Sequence, residues 1–372
     1  VVSTDRPINR TPLYEAHRAG GGKLVEFAGW EMPIQYTGVV DEYHAVRSRA
    51  GLFDVSHMGR LQVSGAGSLA FLQRMTTNNL ARLPLRQSHY SMVCNPEGGI
   101  KDDIFVYRLK EDEFLLCVNA SNREKIAAWL RDHLATAPQC MVWDRSGELA
   151  QFALQGPASR TILEKLGAAG VANLKPRHCL DAVLNGISCL ITRTGYTGEL
   201  GYELYVPAHA AARVWNDLLE TGRPEGLKPA GLGARDLLRL EMAYLLYGND
   251  IGEETTPIEA GAQWVVSLDK GDFVGRGRLA KQQAEGPTRR LVAFELLEQA
   301  VPRHRCKILD RSGGARIGEV TSGNFSPLLR KGIGLGYVPP TYATPGSTFL
   351  IEIRSKAMPA VVVQPPFYKR QA

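Results

Sequence analysis

The chain has 372 residues, with 44% hydrophobic and 22% charged residues, a net charge of +6 and a sequence pI near 9.0, which suits a globular protein of two or three domains. No apolar run approaches the roughly 20 residues of a membrane-spanning helix, and the six cysteines stand singly with no C-x-x-C pair, so neither a zinc knuckle nor a redox dithiol is signalled. The positive balance favours an anionic partner, but the Lys and Arg residues are dispersed rather than blocked, which argues against nucleic acid.

The first stretch, Val1–Arg6, carries no signal-peptide apolar region and no initiator Met, so a processed or trimmed end is expected. Further on, Gly98-Gly99-Ile100-Lys101-Asp102-Asp103 abuts the apolar run Ile104–Tyr107. Residues 102–108 and 114–119, separated by Lys110–Glu113, read as a β-hairpin with a polar loop. Side chains alternate across a strand, so Asp102 and Asp103 must point to opposite faces. If the strand is half-buried, one of them faces inward, where an ionised group is costly without a partner or a task. The other reading of the same residues is a wet turn.

Ser121-Asn122-Arg123-Glu124 has the S-x-x-E spacing of a capping box, and behind it Ile126, Trp129, Leu130 and Leu134 fall on one helical face. After a strand expected at Ile187–Ile191 comes Arg193-Thr194-Gly195-Tyr196-Thr197-Gly198-Glu199-Leu200-Gly201-Tyr202-Glu203. Its three glycines permit tight turns and close backbone approach to a ligand. Tyr196 can lie flat on a planar ring, and the carboxylate of Glu203, facing opposite to Leu204, can hold the amino-and-ring-nitrogen edge of a pterin or purine. A plain hairpin with a solvent-facing Glu fits that segment equally well. A helix stopped by Gly222 and Pro224 follows near 208–221. Gly231–Glu241 opens another, with Arg235 and Arg239 on a shared face and Asp236 in the first turn.

Composition changes near residue 285. Lys281–Pro287 reads as a linker, and residues 286–372 as short strands with regular turn signals, at Arg290–Leu296, Gly318–Thr321, Gly334–Val338, Phe349–Ile353 and Ala360–Val363. That texture predicts a separate small β-barrel or sandwich. Residues 1–285 mix strands and helices without βαβ alternation, so the fold class is α+β. No phosphate loop, dinucleotide fingerprint, nucleophile elbow or H-E-x-x-H is present. No cluster has metal-ligand spacing, so no metal is expected. His57, in Asp54-Val55-Ser56-His57-Met58-Gly59, reads first as a hydrogen-bonded turn residue.

Taken together, Arg10–Tyr14, Phe27–Pro33, Phe53–Met58, Gly98–Asp103, Arg193–Glu199, Gly231–Glu241, Tyr247–Asp250 and Thr321–Pro327 resemble the aminomethyltransferase (T-protein) family of the glycine cleavage system, in order and over essentially the whole chain. The resemblance implies a three-lobed folate-binding fold with antiparallel sheets. One lobe, roughly 52–140, is inserted within the 1–285 region, and the C-terminal β-barrel follows at 286–372. It implies tetrahydrofolate as co-substrate at the centre of the lobes, Asp103 as the critical carboxylate and Glu203 as holder of the pterin. Met58 and Tyr196 would line the pterin pocket, with Tyr90 near the reacting end, Arg235 as an anchor and Tyr368 as the aromatic that closes the site. Asp102 is left to the opposite face and a structural hydrogen bond.

The implied reaction moves a methylene from an aminomethyl thioether to tetrahydrofolate and releases ammonia. The aminomethyl group arrives on the lipoyl arm of a small acidic carrier, the H-protein, among the other glycine cleavage components. The expected setting is a bacterial cytosol rather than a mitochondrial matrix, with no nucleic acid or membrane partner. Two departures from the family pattern, Leu200 where Asp is common and Ala262 before Trp264, bear on loop conformation. The alternative is a related folate-dependent demethylase of a small methylated amine or sulfonium compound. An accessory protein of the iron–sulfur or tRNA-modification kind would carry a Lys-Gly-Cys-Tyr-x-Gly-Gln signature that this chain lacks. A catalytically silent binding module is disfavoured by the joint presence of both carboxylates and Arg235.

Overall fold

A computed structural model describes residues 8–370; Val1–Arg6, the expected trimmed end, lies outside the described residues. Two antiparallel sheets and a closed barrel carry the architecture. The first sheet has six strands in the order Cys179–Leu184, Ile187–Thr192, Gly201–Pro207, Leu149–Gln155, Ala50–Asp54 and Leu227–Pro229, with only the last pair parallel. The second has five, Gln87–Cys94, Ile100–Lys110, Glu113–Val118, Gly59–Ser64 and Met141–Asp144. All five lie in sequence between Ala50–Asp54 and Leu149–Gln155, which are themselves paired, so the second sheet interrupts the first. The interruption differs in its bounds from the expected 52–140. Leu52 and Phe53 pair with Leu154 and Ala153 in the six-stranded sheet, and Met141–Asp144 extends the five-stranded one.

The barrel runs Arg290–Leu296, Lys331–Val338, Arg316–Ser326, Lys307–Leu309, Thr348–Ile353 and Lys356–Val363, closing on itself. Closure leaves no edge strand to pair with another chain. Phe294, Ile308, Val320, Phe349 and Ile351 fill it. The short strand Lys307–Leu309 was not foreseen, because three residues carry too little alternation to read.

Alternation decides what each sheet turns toward the others. Along Ile100–Lys110, Ile104 and Val106 face the core beneath the five-stranded sheet, while Asp103, Phe105 and Tyr107 face the other way. Along Gly201–Pro207, Tyr202, Leu204 and Val206 join the core of the six-stranded sheet, so Glu203 and Tyr205 face out of it. The two outward faces meet: Tyr107 packs edge-on against Tyr205, with ring centroids 5.8 Å apart.

Three local expectations are corrected. The hairpin is tighter than read, with strands to Lys110 and from Glu113, so Lys110 and Glu113 are paired strand residues rather than loop. No side chain caps the helix Arg123–Asp132; Ser121 lies in a 3-10 turn before it, and Asn122 directs its amide to Asp102 instead. Lys281–Glu285 is not a linker but the second half of the helix Arg276–Glu285, held by the single buried residue Leu279. So narrow a buried face leaves almost no apolar periodicity in the sequence.

Candidate active site

Between the two sheets, the helix Leu232–Glu241 and the barrel lies a cavity of ≈ 2040 Å³. Met58, Tyr90, Asp103, Tyr196, Glu203, Arg235 and Tyr368 all line it, so residues spread over most of the chain converge on one space.

Asp103 enters from the five-stranded sheet. The Tyr90 hydroxyl donates to its Oδ2 at 2.8 Å and the Asn119 side-chain amide to its Oδ1 at 2.7 Å. Asp102, fully buried on the opposite face, accepts from the Asn119 backbone N–H at 3.0 Å, the Asn119 amide at 2.9 Å and the Asn122 amide at 2.6 Å. Asn119 thus ties both carboxyls together, although they point apart. Neither forms an ion pair with a Lys, Arg or His among the described residues. Burial pushes both carboxyls above their ordinary range, and repulsion between two carboxylates tied to one amide pushes the pair further. The glycines ahead of them have a steric reason. A Cβ on Gly99 would lie 1.9 Å from the Glu253 carbonyl oxygen, so only glycine lets the turn pass there.

Glu203 enters from the six-stranded sheet. Thr194 donates to its Oε2 at 2.5 Å, and the Tyr107 hydroxyl and the Gln151 amide reach it at 3.4 Å. Gly198 turns the chain at φ +81° and all three glycines of the Arg193–Gly201 segment line the cavity, but two of them also have a packing reason. A Cβ on Gly195 or on Gly201 would overlap the buried Gln155 amide, at 2.0 and 2.3 Å. That amide in turn holds the segment through Thr194 and Thr197.

Tyr196 is stacked on Tyr244 with centroids 5.7 Å apart, and its hydroxyl donates to the Leu245 carbonyl. The Arg235 guanidinium lies 4.7 Å from the centroid of the Tyr196 ring. Arg235 and Arg239, one turn apart, have different tasks. Arg239 is almost fully buried and committed to Asp236, Asp250, the Tyr244 carbonyl and Ser322. Asp236 sits in the second turn of the helix rather than the first, which makes it the partner of Arg239. Arg235 keeps a buried Nη1 with no partner, and burial lowers its pKa. A buried guanidinium nitrogen without a partner on a cavity wall is costly unless a ligand carbonyl or carboxylate completes it.

Tyr368 stands over the Arg47 guanidinium at 4.0 Å, with its N–H on the Glu241 carbonyl. Arg47 itself is paired with Glu199 and Glu241 at 2.8 and 2.6 Å, so the C-terminal segment rests on a buried ion network. Met58 packs between the cores on either side of the cavity. His57 is buried against Phe27 with an unpartnered Nδ1, and burial pushes its pKa down to about 3. It sits in the turn as expected, but its side chain is a neutral imidazole on the cavity wall with no hydrogen bond at Nδ1.

Sequence reasoning missed Asn119, Trp264 and Tyr244. Trp264 stacks on Tyr90 with centroids 5.7 Å apart while leaving 61% of its surface exposed at the cavity. An exposed Trp on a 3-10 turn has no periodic signature, whereas its type, large and aromatic, was the available hint.

Two family models cover nearly all of the chain: the GCVT N-terminal domain over residues 13–270, and the glycine cleavage T-protein C-terminal barrel domain over 289–369. The chain belongs to the glycine cleavage T-protein family. Among relatives, the aminomethyltransferase of Halothermothrix orenii is 49% identical over 97% of this chain and 100% of its own length. That of Desulfitobacterium hafniense is 47% identical over 98% of this chain and 99% of its own. The crystal structure of glycine cleavage system aminomethyltransferase T from Bartonella henselae superposes with a TM-score of 0.91 at 35% identity, covering 97% of this chain and 98% of that one. The α+β architecture with a C-terminal barrel is thus the T-protein fold. Among the described residues, no helix is long and apolar enough to cross a membrane.

Proposed function

We propose that the central cavity is where this aminomethyltransferase of the glycine cleavage system does its chemistry, with Asp103 at the reacting end and Glu203 at the end that holds the pterin. The activity is that of the family, and tetrahydrofolate is its co-substrate. The observation that carries the assignment of ends is the pair of cavity-facing carboxylates on two different sheets, with Arg235, whose buried Nη1 has no partner, lining the same cavity. From Asp103 to Tyr107, which touches Glu203, the strand spans about 13 Å. That length suits a fused bicyclic ring with its exocyclic nitrogen at the far end.

Glu203 accepts from the amino-and-ring-nitrogen edge, a bidentate pattern that fixes the plane of the ring. Arg235 supplies a donor for the carbonyl on the same ring, Met58 and Tyr196 pack its faces, and Tyr368 closes the mouth from its seat on Arg47. At the far end, Tyr90 and Asn119 fix the Asp103 carboxylate. When bound, the folate supplies the nucleophilic nitrogen. The C–N bond to departing ammonia breaks and leaves positive character on the methylene carbon, which one folate nitrogen attacks; the second nitrogen then displaces the sulfur, which leaves as the lipoyl thiol by taking up one of the protons the two nitrogens release, the other passing to solvent. Asp103 stabilises that charge and orients the attacking nitrogen, because an uncompensated carboxylate in an enclosed site acts on developing charge without reorganising.

The carrier in this reading is a lipoylated H-protein presenting the aminomethyl group. Arg177, Arg303, Lys369 and Arg370 on the cavity lining, with the net charge of +6, favour approach of an acidic protein. The bacterial sources of the relatives support a bacterial cytosol as the setting. The test is to supply aminomethyl-loaded H-protein and tetrahydrofolate and to measure ammonia and 5,10-methylenetetrahydrofolate in equal amounts. Turnover only with dimethylglycine, sarcosine or a sulfonium donor would replace the reading by that of a demethylase.

A further inference from the structure

Asp102 does not face the cavity, yet its surroundings bear on the residue that does. Three donors reach it: the Asn119 backbone N–H, the Asn119 amide and the Asn122 amide. A backbone N–H cannot reverse its role, and the Asn119 amide is held nitrogen-inward by its further bond to the Asp103 carbonyl, so these two donors are built for an acceptor-only, ionised carboxylate. Asp103 differs. One of its oxygens faces the Tyr90 hydroxyl, which can turn from donor to acceptor when a proton arrives. The Oδ1 atoms of the two residues both bond the same Asn119 nitrogen, at 2.9 and 2.7 Å, and so lie within about 5.6 Å of each other.

We propose that Asp102 is a positioning residue for Asp103: held as a carboxylate by three amide donors, it keeps the one exchangeable proton of the pair on the cavity side. Asp103 then gains and loses that proton in the range where the cavity works, which lets one carboxyl both steady a cationic carbon and manage a proton during ring closure. Of the other charged groups around the pair, Asp250 adds to the upward push on Asp103. Tyr90 and Tyr196 are pushed up by burial, as is Tyr247, whose hydroxyl reaches the Ile100 carbonyl and accepts from Lys125. Lys101 and Lys125 are both committed to Glu253, and Asp250 to Arg239. Among the described residues no cation therefore sits against the pair to pin its charge from outside.

The inference rests on Asp103 being the reacting carboxylate, and the experiment separates the two. The pH profile of kcat/KM for aminomethyl transfer is measured for the unsubstituted enzyme, D102N and D103N, with the fold of each checked by circular dichroism. Removing one buried charge about 5 Å from another, at an effective dielectric near 20, lowers the pKa of the survivor by about two units. D102N is thus expected to move the acid limb about two pH units downward, while D103N loses activity at every pH. A D102N profile lowered uniformly, with its limb in place, would make Asp102 merely structural and overturn the proposal. A D103N profile like that of the unsubstituted enzyme would instead overturn the role of Asp103 itself.

If D102N does not fold, infrared difference titration of the unsubstituted enzyme decides. A protonated-carboxyl stretch that grows in on acidification and whose frequency is absent from D103N at every pH, including the lower pH to which a surviving Asp102 would be shifted, places the proton on Asp103. One that persists in D103N places it on Asp102 and contradicts the proposal.

Discussion

Replacing Asp103 by Asn removes a charge while leaving the local bonding workable. The Asn oxygen can take the Asn119 amide and its NH2 can donate to the Tyr90 hydroxyl, which accepts as well as donates. What disappears is a carboxylate with no cationic partner among the described residues. A unit charge about 4 Å from the positive methylene carbon is worth about 4 kcal/mol at an effective dielectric near 20. At about 1.4 kcal/mol per tenfold, the chemical step should slow by about a thousandfold. Folate binding should change by less than about threefold, because the pterin edge is held elsewhere. Glu203→Ala is the mirror experiment. Charge-assisted hydrogen bonds worth about 1.5–3 kcal/mol are lost from the bound folate, raising its KM by about 10- to 100-fold with kcat nearly intact. Steady-state kinetics with aminomethyl-loaded H-protein and varied tetrahydrofolate give both parameters. Equal losses of kcat and folate affinity in both variants would refute this division of labour.

Asp103→Asn should also stabilise the fold in a pH-dependent way. The folded carboxyl titrates above its unfolded value, so its contribution is full below about pH 4 and is lost as pH rises. D103N should then unfold at a higher temperature than the parent near pH 8, with no advantage near pH 4, which thermal scans at the two pH values check. His57 has the opposite form of linkage. Its folded value of about 3 lies below the unfolded 6.5, so stability is full above 6.5 and falls as pH drops toward 3; H57F should flatten that fall in a denaturation series. Arg239→Met leaves Asp250 buried without its cation and should cost about 3–5 kcal/mol in chemical denaturation, part of which D250N in the same chain restores. Finally, the association rate with H-protein should fall as salt rises from low to physiological strength, and a flat stopped-flow series would remove the electrostatic rim from the account.

How much of this was legible in the sequence depended on whether the signal was local. Strand alternation separates Asp102 from Asp103 without any coordinates, and it also turns Glu203 away from Leu204. The barrel strands Arg290–Leu296 and Phe349–Ile353 announce themselves through apolar runs between turn residues. What alternation cannot give is the partner across a sheet or cavity. Asn119 lies just past its strand with a side chain that caps nothing in its own helix, so its hold on both carboxyls appears only once the hairpin is closed. Arg235 and Arg239 are indistinguishable by spacing, and only the loop carrying Asp250 and the barrel residue Ser322 decide which one remains free. The Gly195 and Gly201 pattern reads as room for a ligand, and both line the cavity, but nothing in the sequence shows that Gln155 from the neighbouring strand packs against their other side. Helix Arg276–Glu285 was hidden because a polar helix resting on one leucine has the composition of a linker.

The most direct test of the two-ended cavity is a crystal structure with a non-reactive tetrahydrofolate analogue bound. The account predicts the amino-and-ring-nitrogen edge of the pterin on the Glu203 carboxylate, with the folate nitrogens that receive the methylene turned toward Asp103. A pterin ring seated away from Glu203, or one whose reacting nitrogens point away from Asp103, would contradict it.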